Sequence, residues 1–74
     1  MTVGKVIADY RIKKGMTQDK LSELSKLSRS YICDIENDRY NPSVKTLVIL
    51  ADILDIDLNF LREMTEIQDF KTIN

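Results

Sequence analysis

The sequence predicts an all-α fold, a small compact helical domain, and three observations carry that expectation. Apolar residues recur at three- and four-residue spacing along most of the chain, the period of a helix with one buried face. Small polar residues stand just before four such segments, where a side-chain oxygen can accept a hydrogen bond from a free helix amide. No stretch shows the period-two alternation of a half-buried strand. With 74 residues, of which 43% are hydrophobic and 31% charged, the chain supports one core. A domain of this size buries only about 60% of its unfolded surface, which leaves no room for a large substrate cavity.

The first helix is expected from Val3 to Lys14. Val3, Ile7 and Tyr10 share a face, and Gly15 supplies the left-handed residue that commonly ends a helix. Thr17 caps a second helix, Gln18 to Ser25, with Leu21 and Leu24 as its buried positions. Only three residues later Ser28 caps a third, whose inner face carries Ile32 and Ile35. In "RYNPS", Pro42 keeps Asn41 out of the helical region, and Ser43 caps a fourth helix that runs to Leu54 through Leu47, Leu50 and Ala51. Asp57 then caps a short fifth helix with Leu58 and Leu61.

Charge and residue usage narrow the function. The net charge is -1, yet residues 1–50 hold nine Lys/Arg against six Asp/Glu and residues 51–74 hold two against six. The basic excess therefore lies in the first two-thirds, as in a polar molecule with one cationic end. A single Cys33 and no His exclude an internal disulfide and the usual zinc ligand sets, and point to a reducing cytoplasm. There is no glycine-rich phosphate loop and the carboxylates are scattered, so neither an enzyme nor a cofactor is expected. The longest apolar run, Leu47 to Ala51, is far too short for a membrane span. No small-molecule ligand is indicated.

Two short helices joined by about three residues, the second followed by "IEN…NPS", form the pattern of a helix-turn-helix. Across "MTQDKLSELSKLSRSYICDIENDRYNPSVKTL" and "LADILDIDLNFL", with Ile7 and Arg11, the chain resembles the phage repressor and Cro-type family, also called XRE-type regulators. The resemblance covers roughly residues 3–62 and implies a compact five-helix lambda-repressor-like helix-turn-helix domain. Its departures fall where the family favours glycine: Lys26, Asp38 and Asp55. Lys tolerates the left-handed conformation less well than Asp, so Lys26 is expected to be the most strained. Ser22 stands where the family has a small Ala.

The resemblance implies a transcriptional regulator, most simply a repressor, that lays its third helix in the major groove of double-stranded DNA. At about 100° per residue, taking Arg29 as zero, Cys33, Asn37, Ser30 and Asp34 fall at about 40°, 80°, 100° and 140°, while Ile35 and Ile32 lie nearly opposite. Arg29, Ser30, Cys33 and Asp34 are thus the candidate base readers. The Arg29 fork suits O6 and N7 of guanine, worth about 1–3 kcal/mol of discrimination. Asp34 has two readings, an acceptor for a cytosine amino group or a local structural residue. As a lone thiol on this arc, Cys33 reads as a small space-filler rather than a redox switch.

Phosphate contacts are expected at the two helix starts, from Thr17, Gln18 and Ser28, where free amides and the helix dipole favour an anion. Asn37 on the polar arc, and Arg39, Tyr40, Asn41 and Lys45 beyond the third helix, extend the set. Tyr31, at about 200°, either touches phosphate or packs on the second helix. Glu36 lies between the polar and core arcs, and the resemblance implies that it pairs with Arg11.

Ile49, Ile53 and Phe60 stand where the family usually has polar residues, and Met64, Ile67, Phe70 and Ile73 continue the apolar series. Exposed apolar surface of this kind suggests a partner. Residues 1–64 are expected to form the DNA-binding domain, and residues 65–74 a tail that either joins a homodimer interface or folds back. A homodimer suits a two-fold operator. The rival reading keeps the fold but binds another protein, as an antitoxin or co-regulator does.

Overall fold

The computed structural model describes residues 2–64. Four α-helices, α1 (Val3–Lys13), α2 (Gln18–Ser25), α3 (Arg29–Glu36) and α4 (Val44–Leu54), are followed by a fifth, α5, over residues 58–64. The starts of α2 to α5 have the expected chemistry, and Thr2 caps α1 in the same way. The hydroxyls of Thr2, Thr17, Ser28 and Ser43 accept from the amides of Lys5, Lys20, Tyr31 and Thr46, three residues on, and Asp57 accepts from the Asn59 amide.

Each of α1 to α4 ends at a residue of positive φ: Gly15, Lys26, Asp38 and Asp55. After α1, the Gly15 amide donates to Ile12 and the Met16 amide to Arg11; after α3, Asp38 donates to Ile35 and Arg39 to Asp34. This paired closure satisfies carbonyls that a helix end leaves free. The three places where the sequence departs from glycine are thus, among the described residues, the three non-glycine residues of positive φ, at 62°, 61° and 56°.

Two seryl hydroxyls hold the turn that contains Lys26. Ser22 donates to the Leu27 carbonyl at 2.5 Å, and Ser25 accepts from the Leu27 amide at 3.2 Å. Ser22 is therefore a brace across the α2–α3 turn, a role that an alanine there could not fill. The same bonds explain a correction. The sequence placed Leu24 inside with Leu21, but Leu24 is 45% exposed and Ser25 is buried. In a helix of two turns the inner face is Leu21 and Ser25, and Ser25 tolerates burial because its hydroxyl is bonded locally.

The core gathers Val3, Val6 and Ile7 of α1, Leu21, Ile32 and Ile35 of the helix pair, and Leu47, Leu50, Ala51, Leu54, Ile56 and Leu61. Gly4 permits a close backbone approach between α1 and the end of α3. A Cβ there would strike the Ile35 carbonyl oxygen and come within 2.7 Å of Asp38 Oδ1. Thr2 adds a bond at the same place, its hydroxyl donating to Asp38 Oδ2 at 3.0 Å. The start of α1 is thereby fastened to the end of α3.

The apolar surface differs from expectation. Ile53 and Met64 pack against the core and Ile49 is half-buried, whereas Val44, Val48 and Phe60 are exposed. Successive exposed positions of α4 are four residues apart, so the outward stripe runs through Val44 and Val48 rather than Ile49 and Ile53. Ile67, Phe70 and Ile73 lie outside the described residues. No helix among the described residues is long and apolar enough to cross a membrane.

Candidate nucleic-acid interface

Ile32 and Ile35 seat α3 in the core, which fixes its rotation about its own axis and turns the opposite arc outward. Arg29 and Ser30 are exposed on that arc, with Cys33 and Asp34 half-buried beside them. Together with Gln18 and Arg39 they line one open cleft of about 360 Å³. All four candidate base readers therefore share a single concavity.

Gln18, in the lining of the cleft, belongs to a partly buried polar network. Arg11 donates through Nε to Glu36 Oε2 at 2.8 Å and through Nη2 to Oε1 at 3.1 Å, and its Nη1 donates to the Met16 carbonyl at 2.7 Å. The side chains are 13% and 5% exposed, so the fork of the arginine matches the carboxylate with little solvent between them. Gln18 completes the network, its Nε2 donating to Glu36 Oε1 at 3.1 Å. An ionised carboxylate only accepts, which dictates the amide orientation and leaves the second Nε2 hydrogen free. Gln18 thus stands at the start of α2 with one hydrogen committed inward and one available.

Two surface ion pairs border the cleft. Arg29 Nε lies 3.2 Å from Asp19 Oδ1 of α2. Arg39 Nη1 donates to Asp34 Oδ1 at 3.4 Å. This contact gives Asp34 a partner on its own surface, beside which the base-reading alternative stands. Asp19 was not singled out by the sequence, since pairing across the α2–α3 turn needs the angle between the helices, which no spacing along the chain reveals.

The remaining candidates divide. Thr17 and Ser28 spend an oxygen lone pair on capping but keep a hydroxyl hydrogen. Asn37 caps α3, its Nδ2 donating to the Cys33 carbonyl at 2.8 Å and lying 3.4 Å from Cys33 Sγ. Tyr31 reaches toward α4: its hydroxyl is 3.3 Å from Thr46 Oγ1, and its ring meets Tyr40 edge-on at 5.7 Å. The ring of Tyr31 is thereby turned from the cleft toward the loop after α3. Tyr40, Asn41 and Lys45 are exposed outside the cleft.

A short capped helix locked by its apolar face, presenting a polar cleft beside the start of a preceding helix, defines a helix-turn-helix domain of the DNA-binding kind. Comparison with known proteins agrees. A family model described as helix-turn-helix matches residues 7–61, well over half of the chain. The chain belongs to that family, in its XRE, or repressor and Cro, type. It is 46% identical over 66 residues to the ImmF control region 10 kDa protein of Bacillus phage phi105, covering 89% of this chain and 72% of that one. To the immunity repressor protein of the same phage it is 49% identical over 59 residues, covering 80% of this chain but only 41% of the repressor. Among solved structures it is similar to SinR, a master regulator for biofilm formation, in complex with DNA. There the TM-score is 0.76 and the identity 31%, over 81% of this chain and 97% of that one. The lambda-repressor-like arrangement is thus shared by sequence and by structure.

Proposed function

We propose that the chain is a sequence-specific DNA-binding transcriptional regulator, a repressor, that reads the major groove with α3 as a homodimer in the cytoplasm. The observation that carries this reading is the cleft. Arg29, Ser30, Cys33 and Asp34 meet on the outward arc of a helix whose rotation the core fixes, and one α-helix fits the major groove. The phage proteins it resembles, one of them named an immunity repressor, support repression as the mode, and SinR bound to DNA supports the docking.

Residues 1–64 are the DNA-binding part in this reading. Exposed Val48 and Phe60, with half-buried Ile49 and Ile53, give α4 and α5 the apolar surface for the dimer. Two copies of α3 would then lie about 34 Å apart, one turn of DNA. Selection from a pool of random duplexes tests the function: a two-fold consensus is expected, with affinity that falls steeply as salt rises. Sedimentation at micromolar concentration tests the dimer, for which a strict monomer is the refuting result. Absence of binding to any duplex at low salt would instead favour the protein-interaction reading.

A further inference from the structure

Gln18 lines the cleft beside Arg29, Ser30, Cys33, Asp34 and Arg39, yet its side chain is tied to the pair that joins α1 to α3. Its Nε2 donates to Glu36 Oε1 at 3.1 Å. The same carboxylate takes the Arg11 fork at 2.8 and 3.1 Å, and Arg11 Nη1 in turn donates to the Met16 carbonyl at 2.7 Å. Glu36 is 5% exposed and is gripped through both oxygens by a planar guanidinium, so it has little freedom to follow a moving partner. An amide bonded to so fixed an acceptor gives up its rotamer freedom in the free chain, before any DNA arrives.

We infer that Glu36, with Arg11 behind it, is a positioning residue for DNA binding: it holds the amide of Gln18 so that the second Nε2 hydrogen is ready at the cleft for a phosphate oxygen of the DNA backbone. This rests on the DNA-binding reading proposed above. A carboxylate only accepts, so it draws the Nε2 end of the amide to itself, and the hydrogen that remains on that nitrogen is a donor. Gln18 belongs to α2, outside the reading helix, and glutamine side chains are among the donors that fix register on the duplex through phosphate without carrying sequence. The Arg11–Glu36 pair therefore has a task besides stability. Ordering the amide in advance removes a binding cost of up to about tenfold in affinity, that of immobilising one long side chain.

Two measurements test it. In the wild-type chain without DNA, nitrogen relaxation of the Gln18 side-chain amide should give an order parameter near that of rigid backbone, about 0.85. On adding the duplex recovered by selection, an Nε2 hydrogen of Gln18 should shift. The second measurement removes the anchor without changing net charge, by Arg11→Met together with Glu36→Leu. Affinity for every duplex should then fall by about two- to tenfold. Base preference should hold, and so should the salt slope, since a neutral amide displaces no counterion. In a Gln18→Ala background the same double substitution should cost no further affinity, as a double-mutant cycle requires of coupled groups. Thermal melting of each variant confirms that the fold is retained.

A Gln18 amide that is mobile in the free chain, with an order parameter below about 0.6, overturns the inference, as does one whose Nε2 hydrogens ignore the DNA. These two results decide the matter even where the double variant does not fold. A folded double variant that binds as tightly as wild type, or that loses the same affinity with and without Gln18, overturns it as well, and the Arg11–Glu36 pair is then structural only. All of these leave the DNA-binding reading standing, whereas a wild-type chain that binds no duplex at low salt overturns both.

Discussion

Arg11→Ala tests the network beneath the reading helix. The substitution removes three hydrogen bonds, two to Glu36 and one to the Met16 carbonyl. It leaves a carboxylate that is 5% exposed with Gln18 as its remaining side-chain donor. Removing one partner of a buried pair costs about 3–5 kcal/mol, because the other charge stays buried without compensation. Gln18 softens that loss, so the lower end, about 3 kcal/mol, is expected. A chain of this length has on the order of 4–11 kcal/mol of stability in total. With about 4–8 °C per kcal/mol for a domain of this size, the melting temperature should fall by more than about 10 °C. Thermal and urea melts followed by far-ultraviolet circular dichroism measure it. Replacing both members by apolar residues, Arg11→Met with Glu36→Leu, should cost less than Arg11→Ala alone. A loss below about 1 kcal/mol, the scale of an exposed pair, would refute the reasoning, as would a double variant worse than the single.

Gly4→Ala gains about 0.5–1 kcal/mol of helix propensity but drives a methyl into the Ile35 carbonyl, where overpacking costs about 1–3 kcal/mol; a lower melting temperature is expected. Lys26→Gly should stabilise by about 0.5–1 kcal/mol, since the left-handed strain of about 1–2 kcal/mol exceeds the glycine entropy cost of about 0.4–1 kcal/mol. Asp38→Gly should not stabilise in the same melts, because it loses the bond from Thr2. Asp34→Ala frees the fork of Arg39, so binding to any duplex should tighten and the salt slope should steepen by about 0.9, one more phosphate. A change in sequence preference in that variant would instead make Asp34 a base reader.

Much of the fold is legible in the sequence because helix ends are local chemistry. Thr17, Ser28 and Ser43 mark three starts, and Gly15, Lys26, Asp38 and Asp55 mark four ends, each through bonds to residues a few positions away. The outward arc of α3 follows from the helical period alone. What the sequence misses is set by contacts between elements. Leu24 has the right residue type and spacing for burial, yet the angle of α2 gives that place to Ser25. Gly4 reads as an ordinary weak helix residue until Ile35 is found against it. Asp19 finds Arg29, and Tyr31 finds Thr46, across turns whose geometry no periodicity encodes.

The fastening of α1 to α3 has a consequence for how the molecule opens. Arg11, Glu36 and Gln18 join α1, α3 and α2, and Gly4 and Thr2 pin the far end of the same seam. To detach the reading helix alone, a fluctuation would have to separate a partly buried carboxylate from a partly buried guanidinium. Local opening of α3 therefore costs nearly as much as global unfolding, and the slowest amide hydrogens of α1 and α3 should exchange through one shared event. A protease that waits for the reading helix to come loose must wait for the whole domain.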